Sequence, residues 1–438
     1  MKLEEALSAL GEQEHIEAVR PHWDQSQGCF PKEALPVFLR PEQVRENRKA
    51  GLLAEYMEPP ILAAAKRIAE DPNLLHLAWH CYRLTYHHPD YQDFPKWPTF
   101  EKALGRELHG IFYLLVGMAM VPIVRAVHKE KGIDEDITRD TLSDIRCFNF
   151  RHRKGNQGRL GIVKNELYWY RNHCSGELYR LGRLQYFIHA FGGGVEIYRN
   201  RKTHQTVALA EGGLRIRPDG HRVFDTDDEA APENWTTTHV VDERAHTATG
   251  YPACPKTGTI LAKKISLDLS VWEHKVGKGT GMLSMHIPVG GAMTLSECID
   301  SMRQAFDFFP RIFPGRPFVG IDCFSWTFGS QIEEMFEGDS NLVRVLREGY
   351  LYPLRSYPTE GLHFIFYRLD GDIEKYPADT AFQRRILDWL SAGGCWRGGG
   401  WFVLKDDADH LGRQHYRSHW PPRGLDIQDS SMPATGPA

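Results

Sequence analysis

The stretch HIPVGGAMTLSE, residues 286–297, brings together residue types that can hold an anion. Leu283, Met285 and Ile287 alternate with Ser284 and His286, the period of a half-buried strand. Pro288 cannot donate to a ladder, so strand pairing must stop or splay there. Gly290 and Gly291 permit a tight turn and a close backbone approach to a ligand. Thr294 and Glu297 then form a T-x-x-E capping box, and Leu295, Cys298, Ile299, Met302, Phe306 and Phe309 follow at helical spacing. The amides of residues 290–293 would stand at the positive end of that helix, a setting that suits a pyrophosphate. An ordinary strand–turn–helix connection would carry the same residues, and the stretch is neither a G-x-G-x-x-G nor a Walker lysine loop.

Other clusters are less specific. His76 and His80 share a helical face at i, i+4, and His410, His415 and His419 lie near the C-terminus. The first pair lacks the glutamate of a zincin, and no metal is expected. No G-x-S-x-G elbow is present, which argues against a serine hydrolase. The triple glycines 192–194 and 398–400 read as turns or strand entry points, the second letting a terminal strand approach the sheet closely.

These residues need a scaffold, and 438 residues suffice for two or three domains. Hydrophobic residues make up 42% and charged residues 25%, as in folded globular chains. The net charge of −4 gives no sign of a nucleic-acid partner held by bulk electrostatics. Eight scattered cysteines include no C-x-x-C pair, unlike a zinc ribbon or a disulfide scaffold. The charged amphipathic start has no signal-peptide core, and the longest apolar stretch, 110–124, is shorter than the roughly 17–25 residues of a membrane span. The expectation is a cytoplasmic protein with no membrane span and a buried core helix at 110–127.

The first third reads as helical, over 52–70, 74–86 and 110–127. Beyond residue 151 short alternating segments appear, so a boundary is placed at RHRKGNQGR: a helical domain over 1–155, a second domain over 156–410, and an extension over 411–438 whose tail is expected to be disordered. In the second domain strands are expected at 282–287, 317–326, 341–347, 363–369 and 400–404, with helices at 294–309 and 380–391. The fold class is α+β, a helical domain followed by a mixed sheet with helices on its faces.

The segments TGYPACPKTGTILAKKISLDLSVWE, GMLSMHIPVGGAMTLSECIDSMRQAFDFFPRIFP, CFSWTF and SNLVRVL, with DTLSDI and LYRLGRLQYFI upstream, resemble a family of bacterial acyltransferases. That family joins a helical N-acyltransferase N-terminal domain to a GNAT-like C-terminal domain, and the resemblance spans about residues 40–405. It implies that 282–287 is the strand that splays from its neighbour at 317–326, leaving an edge for the pantetheine arm of an acyl thioester. It also implies a donor-binding set of Met285, Ile287, Val289, Gly290, Gly291, Ala292, Met293 and Thr294. The family loop reads Q/R-x-x-G-x-G/A, whereas here no Arg or Gln lies between Pro288 and Thr294. A carrier-protein phosphopantetheine, with its single phosphate, is therefore a second candidate donor beside acyl-CoA. Phe324 stands where a C-H-S-W pattern would place histidine.

The implied reaction moves an acyl group from the thioester to an amine, a small molecule or peptide, by direct attack. It needs a polarised carbonyl, a deprotonated amine and a protonated or stabilised thiolate. His286 is of the right type for the base, Ser325 for protonating the thiolate, and Cys323 for a covalent nucleophile, though no partner base stands near it in sequence. Tyr350, Tyr352 and Tyr367 are further possible acids. A second reading is a catalytically silent GNAT-like module that binds an acyl thioester or a protein partner.

Overall fold

The computed structural model describes residues 1–31, 34–224, 231–336, 338, 340–367 and 372–427. The chain divides into two compact units: Met1–Gln185 with Ile287–Gly290, and Tyr186–His286 with Gly291–Ala438. The first unit therefore runs past the polar segment at 151–159. That segment ends one helix, and a further helix follows before the strands begin.

The helical unit is built on α1 (Glu58–Glu70), α2 (Pro72–Tyr86), α3 (Glu101–Met118), α4 (Met120–Glu130), α5 (Glu135–Leu142), α6 (Asp144–Gly155) and α7 (Leu167–Cys174), followed by the short strand β1 (Tyr179–Leu181). Helix α2 starts at Pro72, two residues before the expected 74. Asp71 caps the amides of Asn73 and Leu74, and Pro72 occupies the first turn, where its missing N–H is not needed. The apolar stretch foreseen as one helix is α3 and α4, broken at Ala119. The joined run Glu101–Glu130 is long and apolar enough to cross a membrane, but 72% of its most apolar window is buried in the structure. Ile111 to Met118 are nearly all inaccessible to solvent, as a core helix requires.

His80 shows how this core handles a polar group. Its Nε2 donates to the Val19 carbonyl at 2.7 Å, and Nδ1 accepts from the Ser26 hydroxyl at 2.7 Å. Both ring nitrogens are thus used inside the protein. Burial pushes this imidazole down to about 4, and does the same to His128. Between about pH 6.5 and 4 the unfolded chain takes up a proton that the folded His80 refuses, so stability falls as pH falls through that window. A shift of this size is worth about 3 kcal/mol. Chemical denaturation between pH 7 and pH 4 should show the fall, and His80→Gln should flatten part of it. An unchanged slope would mean that the ring does not fold in its neutral form.

The second unit contains the principal sheet, ordered β2 (Leu184–Ala190), β6 (Gly281–His286), β7 (Gly320–Ser325), β9 (Gly399–Leu404) and β8 (Tyr350–Pro353). A smaller antiparallel sheet joins β5 (Trp272–Val276), β3 (Val195–Asn200) and β4 (Thr206–Ala210). Helix α8 (Leu295–Ile312) follows β6 and buries Cys298, Ile299, Met302, Phe306 and Phe309 of the stripe legible in the sequence, with Ala305 beside them, while Leu295 is half-buried. Each fully buried side chain of Phe or Met size contributes about 1.5–3 kcal/mol.

Two expected strands are helices. Residues 341–347 lie in α9 (Asn341–Glu348), capped by the Ser340 hydroxyl on the Val343 amide, with Val343, Val345 and Leu346 buried. The valines read as strand formers, but the Ser cap and the burial of one face win. Residues 363–366 fall in the short helix Leu362–Phe366, while 368–371 lie outside the described residues. The expected helix at 380–391 is α10 (Ala381–Ser391), opened by a Thr380–Gln383 capping box. Residues 428–438 of the tail expected to be disordered also lie outside the described residues.

Candidate functional site

The splay expected at Pro288 is present. β6 and β7 run parallel and pair only at Leu283↔Ile321 and Ser284↔Asp322, although β6 continues to His286 and β7 to Ser325. Beyond that pair the facing ends have no ladder between them, so polar backbone there can receive an extended ligand. Gly290 and Gly291 have φ of +96° and +78°, the left-handed backbone that favours glycine. Thr294 then caps α8: its hydroxyl accepts from the Glu297 amide, and the Glu297 carboxylate turns back onto the same hydroxyl. A carboxylate in the first turn would repel a bound phosphate, and that of Glu297 is engaged at the cap instead.

Alternation along β7 sends Asp322 and Phe324 to one face and Cys323 and Ser325 to the other. The first face is where polar chemistry gathers. His189, on β2, donates from Nε2 to Asp322 Oδ1 at 2.7 Å. Asp322 is 1% exposed, while the His189 side chain keeps 21% of its surface. Burial drives the Asp322 carboxyl above the usual range, against the pull of the His189 hydrogen bond. Its Oδ2 is buried without a partner among the described residues. Because the carboxylate takes the Nε2 proton, the basic lone pair of neutral His189 is on Nδ1.

Aromatic rings frame this pair. Phe324 is 45% exposed and meets His189 and Phe191 edge-on, with ring centroids 6.2 Å apart in each case. Phe187 stacks on His286 at 5.2 Å, and His286 Nε2 lies 3.1 Å from the Ser284 hydroxyl. Tyr352 packs against Phe191, and its buried hydroxyl has no partner among the described residues. Burial pushes that phenol well above its ordinary range, so it keeps its proton.

The other sequence candidates separate from this group. Cys323 is buried, and burial pushes its thiol well above the ordinary range, the reverse of an activated nucleophile. Its electrostatic neighbour Tyr186 bonds Ser301 of α8 at 3.0 Å, so this face of the strand belongs to the helix-packed core. Ser325 Oγ accepts from both the amide and the hydroxyl of Thr327, capping the turn Trp326–Phe328. Tyr350 donates to the Ala253 carbonyl at 2.6 Å and accepts from the Ala208 amide, a structural role. Met285 is buried in β6, whereas Ile287, Val289, Met293 and Thr294 are half-buried and Gly290, Gly291 and Ala292 are exposed. The sequence reading passed over His189 and Asp322. The signal available was Asp322 itself, a carboxylate inside the apolar run GIDCF, since acids are almost never fully buried unless paired.

The described residues thus offer an open strand edge, a glycine turn at a helix start, and a His–Asp pair with an exposed imidazole. Two family models cover most of the chain: an N-acyltransferase N-terminal domain over residues 53–176 and a GNAT-like C-terminal domain over residues 178–402. No curated protein matches. Among solved structures, an acyltransferase in complex with decanoyl-CoA and teicoplanin shares the fold with a TM-score of 0.60 at 23% identity, covering 92% of this chain and 99% of that one. A mutant acyltransferase in complex with octanoyl-CoA gives a TM-score of 0.60 at 22% identity over the same shares.

Proposed function

Because the chain belongs to the family that joins an N-acyltransferase N-terminal domain to a GNAT-like C-terminal domain, we propose that it is an acyl-CoA-dependent N-acyltransferase acting on an amine. The acyl-CoA complexes of its structural relatives support the donor class, and the teicoplanin complex supports a peptide-like acceptor. The single observation that carries the chemistry is the His189–Asp322 pair beside the splayed ends of β6 and β7. The pantetheine arm lies along the free edge of β6, and its phosphates reach the turn at 288–293. His189 Nδ1 takes a proton from the attacking nitrogen as the C–N bond forms, and Asp322 stabilises the resulting imidazolium. The C–S bond then breaks, and the thiolate takes a proton from Tyr352, whose hydroxyl has no other partner among the described residues. Deprotonated Tyr352 recovers its proton from the His189 imidazolium, through solvent where they are not in contact, so the cycle closes.

The test combines binding with turnover. At about 100 times Kd, octanoyl-CoA should stabilise the protein by roughly 2.7 kcal/mol, read as a rise in Tm. A panel of acyl-CoA thioesters and acyl-carrier proteins with an amine library should release free thiol and yield amide by mass. Binding without amide formation would favour a silent thioester-binding module, and a response to acyl-carrier protein alone would reassign the donor.

A further inference from the structure

The turn that follows the N-terminal helix Leu3–Leu10 brings three ligand-bearing side chains together, Glu12, Glu14 and His15, all in the helical unit. One donor atom from each lies within 4.8 Å of the others. His15 Nδ1 meets the Lys96 carbonyl at 2.7 Å, and a carbonyl only accepts, so Nδ1 carries the ring proton. The lone pair of the neutral ring is then on Nε2, 3.4 Å from Glu12 Oε2 and 3.8 Å from Glu14 Oε1. Three electron-rich atoms that face one another need a positive charge between them. A second proton on the ring fits poorly, because a charge-assisted N–H···O bond closes to about 2.7–2.9 Å. Two atoms each about 2.1 Å from a shared tetrahedral ion stand about 3.4 Å apart, which is the separation of His15 and Glu12.

Glu12 supplies an independent sign. Its side chain is 4% exposed, and His15 is the only side chain at ion-pair distance from it among the described residues. Burial pushes its carboxyl above the usual range, against the pull of His15 and Lys102. The Lys102 ammonium is itself committed to the Gly11 carbonyl at 2.5 Å. We propose that Glu12, Glu14 and His15 hold a divalent transition-metal ion, zinc foremost, with water as the fourth ligand. One imidazole with two carboxylates suits zinc and balances its charge, whereas magnesium and calcium favour shells of oxygen alone. The Nδ1–H bond to a backbone carbonyl is the outer contact that orients a ligating imidazole. Glu14, whose side chain is 60% exposed, closes the remaining few tenths of an ångström by a small rotation. The ion fastens the turn Gln13–His15 to the turn Phe94–Lys96 through His15, a structural task independent of acyl transfer. It stands apart from the histidine groups for which no metal is expected.

The full chain, stripped with EDTA and dialysed, tests the assignment by calorimetric titration with zinc chloride and by melting curves with and without the ion. About one zinc should bind and raise Tm, while magnesium at the same concentration should leave Tm unchanged. Glu12→Gln and Glu14→Gln should each weaken zinc binding about tenfold or more, and His15→Ala should abolish it. Glu14→Gln is the decisive variant, because its exposed side chain can change without disturbing the fold. Cobalt in place of zinc should give the visible absorption of a tetrahedral ion, and Glu14→Gln should lose it. Zinc uptake equal in the parent and all three variants would put the ion on other histidines or cysteines. No uptake by the stripped parent would leave a proton as the charge between these groups. Either result overturns the proposal.

Discussion

His189→Ala should lower the single-turnover rate of amide formation by about 10²- to 10⁴-fold, the range a general base contributes. Octanoyl-CoA affinity should change little, because the base acts on the amine and not on the donor. The imidazole is partly exposed, so its removal leaves the packing of the sheet intact. Asp322 would then be left buried without its partner, and the loss of that hydrogen bond costs about 1–3 kcal/mol. Asp322→Asn separates orientation from charge. An asparagine amide can donate to Nε2, which moves the ring proton to Nδ1 and removes the basic lone pair from the side that meets the amine. The rate should fall comparably while stability is largely kept. His286→Ala is the contrast. That ring bonds Ser284 and stacks on Phe187, so its removal should cost stability more than turnover. If His286→Ala abolished turnover and His189→Ala did not, the base would be His286.

What could be read from the chain before its fold was local and periodic. The α8 cap and its apolar stripe, the end of β6 shortly before Pro288 and the glycine turn all depend on neighbours within a few residues, and each was legible. The His–Asp pair was not, because it joins residues 133 positions apart, from strands β2 and β7 that lie on either side of β6. Parity misled in the same place: Cys323 and Ser325 drew attention as reactive types, while alternation gives the open face to Asp322 and Phe324. The arginine on the Pro288 carbonyl was invisible for a related reason, since Arg183 lies 105 positions from it in sequence. In α9 a β-prone valine pair was overruled by a serine cap and one-sided burial.

The glycine run near the end of the chain supports the second prediction of large effect. A Cβ on Gly399 would stand 2.0 Å from the Phe328 carbonyl oxygen and 2.5 Å from its carbon, both backbone atoms with no rotamer to yield. Gly399→Ala should therefore destabilise the protein by about 3 kcal/mol or more, the upper end of overpacking costs. At Gly400 the obstacle differs: the new Cβ would meet the Tyr352 ring at 2.3 Å. A ring can move, so Gly400→Ala should cost less, about 1–3 kcal/mol, and should displace the Tyr352 hydroxyl from the face that holds His189. Its turnover should fall further than its stability explains. Tyr352→Phe isolates that effect, because it removes a buried hydroxyl without a partner among the described residues and should leave stability equal or slightly higher. Urea denaturation ranks the three variants, and single-turnover rates follow on those that fold. Should Gly399→Ala melt like the parent, β9 does not approach Phe328 this closely. Should Tyr352→Phe turn over like the parent, the proton for the leaving thiolate comes from another group.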